Sequence, residues 1–162
     1  MENKLEIVKE YIIRDQKKFY RLAYSYVQNE QDALDIVQNA VCKALQNCQG
    51  IRNIKYLRTW FYRVLVNESI DFIKQKKEEI PFEKELFEKI GEEKEEEESS
   101  EQLYQKINLL TPEIQTVIKL RYFEDFSLLE IARCTDQNLS TVKSRLYRGL
   151  GQLRREMEHD EF

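Results

Sequence analysis

The sequence is poor in the residues that most chemistry requires: among 162 residues it has four glycines, two prolines, three cysteines and one histidine. No glycine-rich phosphate loop can be assembled, and the single histidine, His159, stands in the last few residues with no credible Ser and Asp partners, so an enzymatic reading is the weakest of those open. Cys42, Cys48 and Cys134 are odd in number and lack CxxC spacing, which argues against a disulfide framework and against a zinc site. Cys42 and Cys134 fall at apolar helical positions and read as small buried hydrophobes. No apolar run approaches the roughly 18 residues of a membrane span. The first residues alternate charge with apolar side chains and do not form the continuous apolar stretch of a secretion signal. A cytoplasmic chain without metal, cofactor or small-molecule substrate is the expectation.

Helical periodicity is abundant. Val8, Tyr11, Ile12, Phe19, Leu22, Ala23 and Tyr26 mark a first amphipathic helix. Asn29 is placed to cap a second, with Glu30 and Asp32 in its first turn; its exposed side carries Asp35, Gln38 and Asn39, facing either solvent or a protein partner. Residues 46–56 break the period around Gly50 and read as a loop, with Arg52 and Lys55 in it. A third helix, Leu57 to Lys77, is apolar on a wide face, but Trp60, Arg63, Asn67, Asp71 and Lys74 stack along one side. An aromatic, cations and an amide in a row suit a nucleic-acid strand, because bases stack on rings and phosphates pair with cations. Trp60 as a partly buried core aromatic beside a wet face is the plainer alternative.

The formal net charge of −4 argues against nucleic acid until its distribution is considered. Residues 1–77 carry 14 basic against 9 acidic side chains, residues 78–101 carry 3 against 12, and residues 102–162 carry 9 against 9. From Glu78 the chain holds one proline, a Glu-rich run from Glu92 to Glu101 and few hydrophobes, the composition of a mobile acidic linker. Phe82 to Ile90 has the spacing of a short amphipathic helix. Thereafter Leu103, Ile107 and Leu110 resume a helix, and Thr111, Pro112 and Glu113 start another. Ser127 to Glu130 forms a capping box, and a polar turn separates that short helix from a last one capped by Ser140. The expected architecture is all-α: an N-terminal helical domain (1–77), an acidic linker (78–101) and a four-helix C-terminal domain (102–162) containing a helix-turn-helix.

The last helix bears Val142, Leu146, Leu150, Leu153 and Met157 on one side and Thr141, Ser144, Arg145 and Arg148 on the other. Lys143, Arg145, Arg148, Arg154 and Arg155 precede any acid. In a DNA-binding helix-turn-helix the second helix enters the major groove, which would let Ser140 and Thr141 reach phosphates and Lys143, Ser144, Arg145 and Arg148 reach phosphates or base edges. An ordinary amphipathic hairpin with a basic rim remains the alternative.

Four strings occur together and in order: Asp32 to Ala40 (AspAlaLeuAspIleValGlnAsnAla), Trp60 to Asn67 (TrpPheTyrArgValLeuValAsn), Leu110 to Tyr122 (LeuThrProGluIleGlnThrValIleLysLeuArgTyr) and Ser140 to Gly149 (SerThrValLysSerArgLeuTyrArgGly). Together they resemble the extracytoplasmic function (ECF) class of bacterial RNA polymerase sigma factors. The resemblance implies a promoter-specificity subunit with no chemistry of its own. Its N-terminal domain would dock on the beta-prime clamp helices through Asp35, Gln38 and Asn39. It would melt the minus-ten element with Asn67 capturing a flipped base, supported by Trp60, Arg63, Asp71, Lys74, Arg52 and Lys55. The C-terminal domain would read the minus-thirty-five element through Ser140, Thr141, Lys143, Ser144, Arg145 and Arg148, with its other face on the beta flap. An anti-sigma factor, often membrane-anchored, and a stress or cell-envelope response are also implied. Asn39 departs from the family's usual glutamate, and Gly149 with Gly151 from alanine and arginine. Those glycines would cost the helix roughly 1 kcal/mol each and let its end fray. A stand-alone helix-turn-helix regulator that senses a ligand or dimerises is the competing reading; it would bind duplex DNA by itself.

Overall fold

A computed structural model describes residues 3–79 and 99–160. Its seven helices are α1 (Lys4–Val27), α2 (Glu30–Asn47), α3 (Leu57–Glu79), α4 (Ser99–Asn108), α5 (Pro112–Tyr122), α6 (Leu128–Thr135) and α7 (Leu139–Asp160). All seven apolar residues expected on one face of α1 are buried. The Asn29 side chain accepts from the Asp32 amide at 2.9 Å and starts α2. The capping box of α6 is complete: the Glu130 amide donates to Ser127 Oγ at 3.1 Å and the Ser127 amide donates to Glu130 Oε1 at 2.9 Å.

The first three helices pack on each other around tilted and edge-on rings. Phe19 and Phe61 have centroids 4.3 Å apart, with Tyr11 and Tyr62 beside them. Each such pair adds about 0.5–1.5 kcal/mol beyond area burial. Lys43–Glu68 and Lys76–Asp32 ion pairs tie α2 to α3. The Tyr11 hydroxyl is buried without a hydrogen-bond partner, which holds its pKa above the ordinary phenol value. In the C-terminal half α7 lies across α5 and α6. Scarcity of glycine is met by other residues in left-handed backbone: Gln28 after α1 (φ 46°), Asp125 between α5 and α6, and Asp136 after α6 (φ 56° each). Aspartate tolerates that region through local polar contacts of its short side chain.

Several local expectations are corrected. Residues 48–50 and 54–56 form two short 3₁₀ turns where an irregular loop was expected. Cys42 is exposed, while Cys48 and Cys134 are buried; the polar outer side of α2 extends further round than the apolar count implied. Met157 is 52% exposed, beyond the end of the core. The cap of α7 is Asn138, whose Oδ1 accepts from the Thr141 amide at 2.8 Å and from Ser140 Oγ at 2.9 Å. Asparagine caps as well as serine, so the helix starts two residues earlier and Ser140 lies inside it. Gly149 is no defect: a Cβ there would lie 2.6 Å from Ile114 Cγ2 and Ile118 Cδ1. It permits the close crossing of α5 and α7, and α7 continues to Asp160. The expected helix of Phe82 to Ile90 and the Glu-rich run from Glu92 to Glu98 lie outside the described residues.

The expected domain organisation left the arrangement of the two halves open. The two halves do not stand apart, for α3 packs against α6 and α1 against α4. Phe126, from the turn before α6, is fully buried against the Tyr62 ring (centroids 5.0 Å apart) and beneath the Arg58 guanidinium (4.2 Å). Tyr62 donates to Glu124 at 2.7 Å and Arg58 to the Glu124 carbonyl at 2.6 Å. Burial raises the carboxyl pKa of Glu124, and the Tyr62 hydrogen bond opposes that shift.

Candidate nucleic-acid interface

On α7, Ser140, Thr141, Ser144, Arg145 and Arg148 line one shallow depression, with Lys143 exposed on its flank. The opposite side is anchored by Val142, Leu146 and Leu153, which are buried. The periodicity thus sorts the helix as the sequence implied, and the polar side is a continuous donor surface at the start of the helix, where the dipole favours an anion.

The row on α3 is also on the surface. Arg63, Asn67, Asp71 and Lys74 are exposed, and Trp60 is half-buried against the core. Arg52, between the two 3₁₀ turns, and Lys55, in the second, are exposed, and Asn53 Oδ1 accepts from the Lys55 amide at 3.0 Å. Asp35, Gln38 and Asn39 are exposed on α2. Leu34, 41% exposed and one turn before Gln38, adds an apolar member to that surface; its place inside a polar stripe was the only signal for it.

Tertiary structure brings the two cationic surfaces together. Asn67, Asp71 and Lys74 of α3 form one wall of a groove whose other wall includes Glu113, Thr116, Gln137 and Arg145. Next to it, Tyr56, Thr59, Trp60 and Arg63 share a second hollow with Arg133 of α6, whose guanidinium lies 4.9 Å from the Tyr56 ring centroid. Arg133 was missed because its role depends on a neighbour 77 positions away. Among the described residues no three His, Cys, Asp or Glu side chains converge to hold a metal ion. Nor is any described helix long and apolar enough to cross a membrane.

Comparison with known proteins identifies the family. Residues 12–79 match the family model Sigma-70 region 2, and residues 100–153 match Sigma-70, region 4. The sequence is 41% identical over 150 residues to RNA polymerase sigma factor SigV of Bacillus subtilis, covering 92% of this chain and 90% of that protein. The chain belongs to the ECF RNA polymerase sigma factors. SigW, an ECF sigma factor of the same bacterium, is 32% identical over 155 residues, covering 86% of this chain and 83% of that protein. Two solved structures share the sigma-factor fold at 18% identity. They are the sigma factor RpoE in complex with the anti-sigma factor NepR from Bartonella quintana (TM-score 0.72, 93% of this chain and 96% of that one), and CnrH in complex with the cytosolic domain of CnrY (TM-score 0.73, 94% and 88%). In this sigma factor, as in its family models, the cationic row of α3 belongs to region 2 and the helix-turn-helix to region 4.

Proposed function

We propose that this ECF sigma factor directs core RNA polymerase to promoters whose minus-ten and minus-thirty-five elements are read by its two halves. Residues 1–77 form the minus-ten module, residues 78–101 the connecting segment, and residues 102–162 the minus-thirty-five module. Asn67 receives a base of the opened strand; Trp60, Arg63, Asp71, Lys74, Arg52 and Lys55 hold the strand around it through stacking and phosphate contacts. Ser140, Thr141, Lys143, Ser144, Arg145 and Arg148 face the major groove. Asp35, Gln38 and Asn39, with Leu34 among them, dock on the beta-prime clamp helices, and the C-terminal half meets the beta flap. The chain works in the cytoplasm, carries out no chemistry, and is held by an anti-sigma factor anchored at the membrane until a stress or envelope signal frees it. The observation that carries this reading is the pairing of two exposed cationic surfaces on different halves of a chain that aligns over nine-tenths of a named sigma factor.

Run-off transcription with purified core polymerase and a genomic template library tests it: start sites sharing one bipartite upstream motif are the expected result. If no transcript depends on the added chain, the reading is wrong. Specific duplex binding by the isolated chain, with no polymerase dependence, would favour the stand-alone regulator instead.

A further inference from the structure

A cleft of about 640 Å³ lies between α1, α3, α4 and the end of α5, and none of the residues lining it belongs to the surfaces assigned above to nucleic acid or polymerase. Its size is that of a small-molecule site.

One wall is cationic. Arg14, Lys18 and Arg21, at offsets of zero, four and seven, share a face of α1 and are exposed. Arg14 is taken up by Asp15 at 3.2 Å, but among the described residues Lys18 and Arg21 have no carboxylate within ion-pair reach. The opposite wall is aromatic. Tyr104 of α4 meets Phe123 edge to face with centroids 5.5 Å apart, and Tyr122 beside them is 53% exposed. Rings left open to water across from free cations offer a stacking surface and an anion site a short distance apart.

The floor is polar. Tyr11 is 7% exposed and packs between Phe19 and Phe61 as a phenylalanine would, yet its hydroxyl is buried without a hydrogen-bond partner. Arg14, Asp15, Arg58 and Glu124 all line the cleft and all act electrostatically on that hydroxyl, which therefore points toward its floor. A buried hydroxyl with no partner is unfavourable, and a ligand that brings an acceptor relieves it. Glu124 is fixed next to it: Oε2 accepts from Tyr62 at 2.7 Å, which leaves Oε1 as an acceptor for a ligand N–H or O–H.

Free cations, open rings and a floor with one donor and one acceptor describe a ligand with several negative charges, a flat ring and a hydrogen-bonding edge. We propose that the cleft binds a nucleoside diphosphate, a ligand class separate from the promoter DNA. Its phosphates lie on Lys18 and Arg21, its base rests against Tyr104, Tyr122 and Phe123, and the Tyr11 hydroxyl and Glu124 Oε1 meet the polar edge of the base or sugar. Pyrophosphate satisfies only the cations, and a nucleoside only the rings and floor.

The test is calorimetric titration of the full chain with ADP and GDP, and with pyrophosphate, adenosine and guanosine as partial probes. At least one of the two nucleotides should bind one to one with a dissociation constant below about 100 μM, and its partial probes should bind about tenfold more weakly or worse. Lys18→Ala combined with Arg21→Ala should weaken the nucleotide about tenfold, and Tyr122→Ala about threefold or more. Tyr11→Phe should weaken it about threefold while leaving the melting temperature of the free chain at or above that of the parent, because the orphan hydroxyl is gone. If circular dichroism shows Tyr11→Phe to be unfolded, the exposed Lys18 and Arg21 pair decides the matter. Binding of neither nucleotide, pyrophosphate binding as tightly as the nucleotide, or undiminished binding by the Lys18 and Arg21 variant overturns the proposal. So does an equal loss on Arg145→Ala, which would put the nucleotide on the helix-turn-helix. These readouts are of binding alone, so failure of run-off transcription would sink the promoter reading and leave the nucleotide site standing.

Discussion

Asn67 and Arg145 carry the most specific claims at the scale of single residues, and they face one groove. Asn67 is exposed and makes no core contact that its loss would disturb. Asn67→Ala should therefore leave core-polymerase binding intact while weakening strand opening, seen as reduced permanganate reactivity of thymines near minus ten; an unaltered footprint would remove Asn67 from base capture. Arg145→Ala should cost about 1–3 kcal/mol at one position of the minus-thirty-five element if the guanidinium makes a bidentate base contact. Binding titrations over a set of single-base promoter variants separate this from a phosphate contact, which would weaken every sequence equally. Arg133 lies beside the row on α3, and Leu34 lies among Asp35, Gln38 and Asn39 on α2. Neither announces itself in the sequence, because a lone base in a helical last turn and a lone leucine in a polar stripe are both ordinary.

For the elements, caps and crossings decide more than propensity. Scarce glycine is spent where two helices touch: Gly149 lets α7 cross α5 closely, whereas nothing lies within 4 Å of a Cβ at Gly151. Gly149→Val should destabilise the fold by about 1–3 kcal/mol through overpacking against Ile114 and Ile118. Gly151→Ala should stabilise it by up to about 1 kcal/mol, since only helix propensity changes. Denaturant midpoints of the two variants against the parent check both signs, and a shift in the same direction for both would refute the packing account. The short helix α6 relies on its capping box and on the left-handed Asp136, so the recognition unit is held at both ends of its first helix.

At the level of the whole molecule, stability and pH are linked through Lys119. Burial lowers its pKa well below the ordinary lysine value in the folded chain, and on unfolding the amine regains that value, near 10.4. At Lys119 the folded chain binds fewer protons than the unfolded one over that interval, so the contribution of this residue to stability rises with pH from the lowered pKa up to about 10.4 and is flat outside it. Thermal unfolding of the intact chain between pH 7 and 8 should show an increasing midpoint, and Lys119→Met should remove that rise whatever its effect on the absolute value. A wild-type midpoint that falls steadily over this range would mean that another group governs the transition. Tyr11, Tyr26, Tyr62 and Cys134 are raised by burial and keep their protons in the folded chain, whereas the unfolded chain loses them near about 10 for tyrosine and about 8.5 for cysteine, so above about pH 8 they lower stability and oppose the Lys119 trend.

Periodicity and capping chemistry are local, so the sequence by itself determined the seven amphipathic segments, the polar side of α7, the row on α3 and the capping box at Ser127. Each of those follows from residues within a few turns of one another. Only the tertiary structure decided that Asp136 and Glu113 sit on Arg63 and Lys74, that Lys119 is sealed between Ser25 and Asn108, and that Gly149 is required. Those facts depend on which surfaces meet across tens of residues, and side-chain spacing along one helix contains no information about the partner helix that comes to lie against it.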